Sequence, residues 1–443
     1  MSKKVRVGVL GGGVVGSSVV ELLLSHESDL TARAGAEIEV VKVSVRDLSR
    51  TRTVPAALLT DKPEEIVNDS SIDIVIELMG GIEPARTLIL QAISQGKSVV
   101  TANKALLAED GATIFAAAAN KGVDVYFEAA VAGAIPLIRP MRESLAGDQI
   151  RRVMGIVNGT TNFILTKMDE EGSDFNQVLK EAQQLGYAEA DPTADIEGFD
   201  AAAKAAILAS LAFHTRVSVA DVAREGISQV SSQDIASAKA MNHVIKLLAI
   251  AELTPNQAVA VRVHPTLIPR AHPLASVREA FNAVFIEAQF AGELMFYGRG
   301  AGGFPTASAV VGDLVSVVRN RLSENVGPTE STYADRVVAP AADTITSYLI
   351  RLDVSDRPGV LASVAQTFAR HDVSIQTVRQ TGRGEDAELV VMTHKASEGA
   401  LAATVTGCHL PSSHHCRVLL GRIMPDRSLF CPAYRLRICR FRN

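Results

Sequence analysis

The N-terminal part of the chain alternates short apolar runs with longer segments rich in alanine and leucine. Each short run is rich in β-branched residues and is a predicted strand: Val5–Leu10, Glu39–Val45, Ile72–Leu78, Ser98–Thr101 and Val123–Phe127. The segments between these runs have the length of helices, beginning with Ser17–Leu24. Strands that alternate with helices predict a doubly wound parallel sheet and an α/β fold. We assign this sheet to residues 1–130.

From Gln149 onward, short strands such as Arg152–Val157 mix with long helices such as Ala201–Ala212. This pattern predicts a second, α+β domain over residues 131–320. Within it, the apolar helix near 305–320 follows a glycine-rich turn, and we expect that helix to pack back onto the first domain. The polar stretch 321–345 is the predicted linker.

Residues 346–405 predict a small third domain with one strand, one helix and two further strands. These elements are Thr346–Val354, Pro358–Arg370, Val373–Gln380 and Glu388–His394. After Leu401 the chain has no sustained helical period and no run that predicts a closing strand. We therefore expect an incomplete domain, followed by a tail (residues 406–443) that is mobile or poorly packed.

The end of the chain also differs from the rest in charge and in cysteine content. After Ala400 the chain holds seven arginines and one aspartate, which give this end a positive charge. The whole chain has a net charge of −5, so the first 399 residues carry a charge of −11. An acidic body argues against nucleic acid as a partner. All the cysteines lie here, at Cys408, Cys416, Cys431 and Cys439. The body therefore lacks thiol chemistry and disulfides, and the cysteine spacing lacks the close pairs that zinc sites favour.

The composition is that of a globular chain, with 443 residues of which 47% are hydrophobic. No apolar stretch reaches the roughly 18–20 residues of a membrane span. No signal-peptide core follows Met1. We expect a cytoplasmic enzyme with no membrane partner.

A glycine motif lies between the first predicted strand and the first predicted helix. It comprises Gly11, Gly13 and Gly16, with Val14 and Val15 inside it. In this context glycines let a pyrophosphate approach the N-terminus of the helix, so the motif predicts a Rossmann-type dinucleotide site. A purely structural glycine turn is the alternative.

The second predicted strand ends at Arg46-Asp47, where dinucleotide-binding folds read the ribose of the cofactor. An arginine at this place pairs with the 2′-phosphate of NADP, whereas an acid holds the 2′-hydroxyl of NAD. Arg46 favours NADP, with NAD as a possible cofactor. The alternative for Arg46 is a solvated surface cation.

A loop rich in carboxylates leads into an otherwise apolar helix that contains Lys204. Asp200 and Lys204 are spaced i, i+4 and share a helix face. A partly desolvated lysine can transfer protons, and the alternative is a helix ion pair that adds little stability. Lys104 follows the strand Ser98–Thr101, whose carboxyl end faces the ligand crevice of a parallel sheet. We expect Lys104 to reach cofactor or substrate, unless it is a surface lysine at a helix start.

Several long motifs in this chain resemble those of homoserine dehydrogenases. They are Val100–Leu106, Gly155–Asn162, Glu189–Lys204 and Gly300–Gly303, in the order found in the family. The resemblance spans about residues 5–335 and also includes the loop Phe127–Pro136. Farther along the chain, Asp356–Leu361 is similar to the opening of an ACT domain, a small ligand-sensing module.

The resemblance implies an NAD(P)-dependent enzyme that interconverts L-homoserine and L-aspartate 4-semialdehyde. In that family pattern Lys204 is the proton donor, Asp200 orients it and Lys104 contacts substrate and cofactor. Glu189 and Asp195 then bind the amino-acid end of the substrate. Because lysine is ordinarily protonated at neutral pH, we expect oxidation of homoserine to run better at alkaline pH.

The same resemblance implies further ligands and partners. Gly302 and Gly303 join the cofactor site, and residues 131–320 form the substrate-binding, catalytic and dimerisation domain of a homo-oligomer, a dimer or tetramer. A monovalent cation such as sodium is bound by Glu128 and by the backbone of Val131, Gly133 and Ile135. ACT modules of this family carry threonine feedback inhibition, which we expect to be weak or absent here because the last helix and strand are not legible.

A rival hypothesis is a non-catalytic sensor that joins a nucleotide-binding domain to an ACT-like module. The presence of both lysines and of the acidic loop argues against it. A semialdehyde dehydrogenase that forms a thioester would need a nucleophilic cysteine, and the body of this chain contains none.

Overall fold

The structure is a computed structural model that describes residues 3–382, 387–408 and 419–424. The chain divides into two compact units, residues 1–344 and 345–443. Among the described residues no helix is both long and apolar enough to cross a membrane. The α/β class expected from the sequence is confirmed.

A six-stranded parallel sheet opens the first unit. Its strands are β1 Lys4–Leu10, β2 Glu37–Ser44, β3 Leu59–Thr60, β4 Ile74–Glu77, β5 Ser98–Thr101 and β6 Val125–Tyr126. They lie in the order β3-β2-β1-β4-β5-β6, with every neighbouring pair parallel. The strand order reverses between β1 and β4, and ligands of such sheets bind at that point, beyond the carboxyl ends of the strands.

The helices of the first unit are α1 Val14–Ser25, α2 Glu27–Ala34, α3 Glu64–Asn68, α4 Ala85–Ser94, α5 Lys104–Lys121, α6 Gly159–Glu171, α7 Phe175–Gln184, α8 Thr193–Ile196, α9 Phe199–Phe213, α10 Ser232–Ala240 and α11 Gly303–Leu322. Two separate cores cover the faces of the parallel sheet. α1, α2 and α11 pack on one face, where Val19 and Val310 are fully buried. α3, α4 and α5 cover the other face with Ile66 and Ile89. Burial on both faces explains why the strands are almost continuously apolar.

A second sheet follows in the same unit. Its strands are β7 Ile150–Ile156, β8 Ala223–Arg224, β9 His243–Leu253, β10 Val259–Pro269, β11 Phe281–Ala288 and β12 Gly292–Arg299. The order β12-β11-β7-β9-β10 is antiparallel throughout, and β8 pairs with β10 in parallel. Helices α6, α9 and α10 pack against β9. α6 and α9 thereby carry the conspicuous polar motifs of the sequence on a rigid sheet.

The second unit is a small α/β sandwich. Its elements are β13 Ile345–Val354, α12 Val360–Arg370, β14 Ile375–Thr381, β15 Ala387–Thr393, β16 Ala396–Ser397, α13 Glu398–Gly407 and β17 Leu419–Ile423. The strands lie in the order β17-β13-β15-β14, and β16 pairs with the start of β13. Tyr348, Ile350, Phe368 and Leu401 are among the residues of its core.

The expectation that a second helix and a closing strand are missing from this unit is wrong. α13 is present, and β17 pairs antiparallel with β13 from Ser347 to Arg351. α13 consists mainly of alanine, threonine and glycine, so its buried face, which includes Leu401 and Thr404, gives little hydrophobic periodicity. Sequence patterning therefore missed a helix whose packing depends on small residues.

The closing strand, β17, contains a charged residue and was not predicted from the sequence. Arg422, within this strand, donates from Nε to Oε1 of Glu398 at 2.8 Å, and both side chains are largely buried. The Tyr348 hydroxyl donates to the same oxygen at 2.6 Å, and the Arg422 guanidinium lies over the Tyr348 ring. An ion pair supplies the partner that a buried arginine needs.

The expected loosening after residue 405 is also wrong where the structure can test it. Cys408 is 5% exposed and belongs to the core of the second unit, and Met424 is buried. Residues 409–418 and 425–443, with the other three cysteines, lie outside the described residues. The premise for an expected loss of threonine inhibition therefore no longer holds.

Candidate active site

The glycine motif forms the turn between β1 and α1. Gly11 has φ +107°, and a Cβ on Gly16 would lie 1.9 Å from the Gly11 carbonyl oxygen, so neither position accepts a side chain. A Cβ on Gly13 would have no atom within 4 Å, and Val14 is 76% exposed at the start of α1. The helix N-terminus is thus open to an anionic ligand.

The residues that follow β2 lie next to this turn. Arg46 is exposed, and Asp47 accepts hydrogen bonds from the backbone and hydroxyl of Ser49. Arg52 donates from Nε to the carbonyl of Gly12 at 3.2 Å and from Nη1 to the carbonyl of Asp47 at 2.7 Å. Sequence reasoning missed Arg52, because it lies in a loop without periodicity and only the tertiary structure joins that loop to the glycine turn.

Gly302 and Gly303 also reach the cofactor turn. Gly302 has φ +122° and precedes α11, which begins at Gly303. A Cβ on Gly303 would lie 2.7 Å from the hydroxyl oxygen of Ser18 and 3.1 Å from Cγ1 of Val14. The N-termini of α1 and α11 therefore approach each other where the dinucleotide motif begins its helix.

A cluster of two lysines and one aspartate links α5 to α9. Lys204 Nζ donates to Oδ2 of Asp200 at 2.6 Å and to the carbonyl of Val157 at 2.7 Å. Lys104, the first residue of α5, places its Nζ 3.2 Å from Oδ1 of the same carboxylate. Lys204 is buried, whereas the Lys104 side chain is 42% exposed. One carboxylate therefore holds two ammonium groups, one on its inner side and one on the solvent side.

The electrostatics of this cluster favour its charged form. Burial alone would raise the pKa of Asp200, but the ammonium groups of Lys204 and Lys104, together with a hydrogen bond from Asn158, hold that pKa well below its usual range. Asp200 also lies in the first turn of α9, where the helix dipole stabilises a negative charge. The Asp200 carboxylate is consequently ionised at physiological pH.

Asn158 and Thr160 tie the acidic loop to this cluster. Nδ2 of Asn158 donates to Oδ1 of Asp195 at 2.7 Å and to Oδ2 of Asp200 at 3.0 Å. Thr160 donates to the carbonyl of Tyr187 at 2.6 Å and also contacts Asp195. In the sequence, Asn158 and Thr160 were recognised only as part of the motif Gly155–Asn162. Its one local signal is the asparagine, a residue that favours helix N-caps.

Glu189 stands apart from the cluster. Its carboxylate is exposed, and no ion pair joins it to any lysine or arginine that the structure describes. Its carbonyl accepts a hydrogen bond from the side chain of Gln183. The fold thus brings Lys104, Asp195, Asp200 and Lys204 together and leaves the Glu189 carboxylate at the solvent edge.

Two buried carboxyl groups meet at the loop 128–135, Glu128 from the loop itself and Asp313 from α11. Glu128 accepts hydrogen bonds from the amides of Ile138 and Arg139, and its own amide donates to Oδ2 of Asp313 at 2.7 Å. The Nε atom of Arg139 lies 3.3 Å from Glu128 and 3.4 Å from Asp313. Burial, opposed by the hydrogen bond from the Glu128 amide, raises the pKa of Asp313 to about 7. Gly133, at φ +56°, packs against the carbonyl of Gly300, where a side chain would clash.

Taken together, a parallel sheet with a dinucleotide turn and a lysine cluster beyond its carboxyl ends define a nicotinamide-dependent oxidoreductase. Three family models match the chain in sequence. They are the NAD-binding domain of homoserine dehydrogenase over residues 11–128, the homoserine dehydrogenase catalytic domain over 136–315 and the ACT domain over 348–406. The chain belongs to the homoserine dehydrogenase family.

Named relatives agree along nearly the whole chain. The homoserine dehydrogenase of Mycobacterium tuberculosis is 54% identical over 91% of this chain and 94% of its own length. That of Corynebacterium glutamicum is 53% identical, over 90% and 91% respectively. The reaction is therefore the NAD(P)-dependent interconversion of L-homoserine and L-aspartate 4-semialdehyde, which leads to threonine, methionine and isoleucine. Nothing supports the sensor hypothesis.

Solved structures agree as well. A homoserine dehydrogenase from Thiobacillus denitrificans superimposes with a TM-score of 0.91 at 43% identity, covering 96% of this chain and 99% of that one. A hyperthermophilic archaeal homoserine dehydrogenase in complex with NADPH matches 74% of this chain and 99% of its own, with a TM-score of 0.62 and 27% identity. A nicotinamide cofactor for this chain follows from its NAD-binding domain.

Proposed function

We propose that Lys204 donates the proton in aldehyde reduction and accepts it in homoserine oxidation, with Asp200 orienting its ammonium group. The observation that carries the proposal is the pair of hydrogen bonds at 2.6 and 2.7 Å that fix Nζ to Asp200 and to the Val157 carbonyl. Reduction needs a hydride, which the nicotinamide supplies, and a proton on the carbonyl oxygen. A spectrophotometric assay with homoserine and NADP tests the activity directly.

Lys104 and Asp195 are the proposed substrate contacts. The Lys104 ammonium is on the solvent side of Asp200, where it can meet both the substrate and a cofactor bound beyond the carboxyl end of β5. Asp195 has no cation within ion-pair distance among the described residues, so its charge is available for the substrate ammonium group. Glu189 is proposed to bind the same end of the substrate from the solvent edge of the site, where its carboxylate is exposed.

NADP is the proposed preferred cofactor, with NAD as a weaker alternative. Arg46 is exposed after β2, and Arg52 adds a second positive charge anchored to the glycine turn. Among the described residues, Asp47 is the one acidic side chain that directly follows β2. Its carboxylate already accepts hydrogen bonds from Ser49. The relative solved with NADPH is consistent with this preference.

Arg46→Ala is expected to raise KM for NADP much more than KM for NAD. The substitution removes a charge-assisted contact to the 2′-phosphate, which is worth about 1.5–3 kcal/mol, or roughly 10- to 100-fold. Initial rates with each cofactor at saturating homoserine give the two KM values. Arg50→Ala, a neighbouring exposed arginine, is the control. Equal changes for both cofactors would mean that Arg46 does not read the phosphate.

A monovalent cation, with sodium as the candidate, is proposed for the loop that contains Glu128, Val131, Gly133 and Ile135. Glu128 is buried at this loop and shares the Arg139 guanidinium with the buried Asp313, so the loop provides a polar environment inside the protein. The Glu128 carboxylate already accepts several amide hydrogen bonds, so backbone carbonyls of the loop would supply most of the ligands. Among described residues no cluster of three or more acidic, histidine or cysteine side chains could hold a metal.

Sodium is expected to raise the melting temperature, whereas tetramethylammonium at equal ionic strength is not. A ligand at a hundred times its Kd stabilises the folded state by about 2.7 kcal/mol. Differential scanning fluorimetry in matched sodium, potassium and tetramethylammonium chlorides measures the effect. Identical melting curves in all three salts would exclude a specific cation site.

We further propose that the chain is a cytoplasmic homo-oligomer, which light scattering on the purified protein tests.

The ACT unit is proposed to bind threonine, because its described residues carry the βαββαβ order, in which β17 completes the sheet. Arg422→Ala is then expected to weaken threonine inhibition while leaving the uninhibited rate unchanged, since it breaks the ion pair with Glu398. Rate measured against threonine concentration decides this, and inhibition of equal strength in both proteins would contradict it.

A further inference from the structure

Asn158 occupies the point where the two acids of the active site meet. Its side-chain amide donates to Asp195 at 2.7 Å and to Asp200 at 3.0 Å, so one nitrogen spans the two carboxylates. Asn158 is only 5% exposed. Two neighbouring, partly buried carboxylates without such a donor would suffer like-charge repulsion.

The orientation of this amide is fixed by the helix behind it. Oδ1 of Asn158 accepts a hydrogen bond from the amide of Thr161 at 2.9 Å, as the N-cap of α6. A flipped amide would set its NH2 group against that N–H and its oxygen against two carboxylates. The polar atoms on both sides therefore allow one orientation only.

The start of α6 is itself held rigidly. Lys246, which is buried, donates to Oδ1 of Asn162 at 2.8 Å, to Thr166 at 3.0 Å and to the carbonyl of Val277 at 2.7 Å. The Val157 carbonyl, next to Asn158, accepts from Lys204. The same backbone turn thus positions the lysine and, through Asn158, the acid that pairs with it.

We propose that Asn158 is a positioning residue that keeps Asp200 and Asp195 in two different roles. It holds Asp200 against Lys204 and Lys104, and it holds Asp195 toward the substrate ammonium, without adding a charge of its own. This inference rests on the proposed roles of Lys204, Asp200 and Asp195. Asn158 touches neither substrate nor cofactor in this account and acts only through the two carboxylates.

The test compares two substitutions that keep the helix cap but remove the amide donors. Asn158→Asp retains an acceptor for the Thr161 amide and places a third carboxylate beside the other two, and Asn158→Ser retains a shorter cap. Both are expected to lose on the order of 10- to 100-fold in kcat/KM for homoserine, because the partly buried carboxylates of Asp195 and Asp200 lose a donor. Binding of NADPH, followed by its fluorescence, is expected to stay within about threefold of the unsubstituted protein.

The pH profile separates positioning from a structural role. A protonated aspartic acid at 158 can donate one hydrogen bond, so the deficit of Asn158→Asp should shrink as pH is lowered from about 8 toward about 5.5. Asp174→Ala removes the N-cap of α7, away from the site, and controls for lost helix capping. It is expected to lower the melting temperature while leaving kcat/KM unchanged.

Two results distinguish the possible failures. If Asn158→Asp retains kcat/KM within about threefold and an unchanged pH profile, while Lys204→Met is inactive, Asn158 is only a cap and the proposed site stands. If Lys204→Met keeps its activity, the proposed roles of Lys204 and Asp200 fail, whatever Asn158 does.

Discussion

Lys204→Met is expected to lower turnover by about 10²- to 10⁴-fold and to leave cofactor affinity nearly unchanged. The substitution keeps an unbranched apolar side chain, one atom shorter, but removes the ammonium that Asp200 and Val157 hold. The glycine turn that receives the dinucleotide does not contact this side chain, so NADPH should bind as before. Steady-state kcat for homoserine oxidation and NADPH fluorescence titration give the two values.

The chain offers a matched control for this experiment. Lys167 and Glu171 form an ion pair at the same i, i+4 spacing on α6, at 2.8 Å, but their side chains are partly exposed. Lys167→Met therefore removes a helix ion pair worth about 0.3–0.5 kcal/mol, together with a second exposed pair to Glu181, without touching the site. The control Lys167→Met should retain most of the activity. If Lys204→Met also retained more than about a third of it, the ion pair of Lys204 would be structural and not catalytic.

Asp200→Asn is expected to lower kcat/KM on the order of 10²-fold. The carboxylate neutralises two ammonium groups, 2.6 and 3.2 Å from its oxygens, and the amide that replaces it leaves those cations facing each other. A hydrogen bond to a buried charged group is worth about 1.5–3 kcal/mol, which sets the size of the loss. Glu171→Gln removes the acid of the exposed ion pair on α6 and should leave kcat/KM unchanged.

The pH dependence provides a second measurement for Asp200. Because the pKa of Asp200 is depressed on folding, its contribution to stability is present above the ordinary carboxyl range near about 3.9 and is lost as pH falls below it. The Asn variant should therefore show a flatter loss of melting temperature in acid. If the melting temperatures of Asp200→Asn and of the unsubstituted protein fell in parallel as pH is lowered, the assigned ion pairs of Asp200 would be contradicted.

Local patterns were sufficient to predict much of the fold. The strands of the parallel sheet are buried on both faces, so they appear in sequence as short apolar runs, and Ser98–Thr101 was predicted with its observed bounds. The glycine motif was equally legible, because a Cβ at Gly16 would collide with the backbone of Gly11 whatever surrounds the turn. The pair of Asp200 and Lys204 was predicted for the same reason, since one helical turn joins the two residues.

Patterns failed where a residue's environment comes from distant parts of the chain. No closing strand was predicted in the arginine-rich end of the chain, yet Glu398 and Tyr348 provide partners for Arg422 in that strand. α13 gave no helical period because its packing uses alanine and threonine, which carry little hydrophobic contrast. In both cases the local signal was weak or opposite, and packing in the sheet decided the structure.

The candidate site divides along the same line. Residue type and helical spacing by themselves determined that Lys204 has an acid beside it and that a dinucleotide turn precedes α1. Only the tertiary structure decided that Lys104, at the start of α5, reaches the same carboxylate and that Asn158 bridges Asp195 and Asp200. Backbone periodicity acts over one turn or one strand, whereas these contacts join α5, α6 and α9, whose relative positions are set by the burial of their apolar faces on two different sheets.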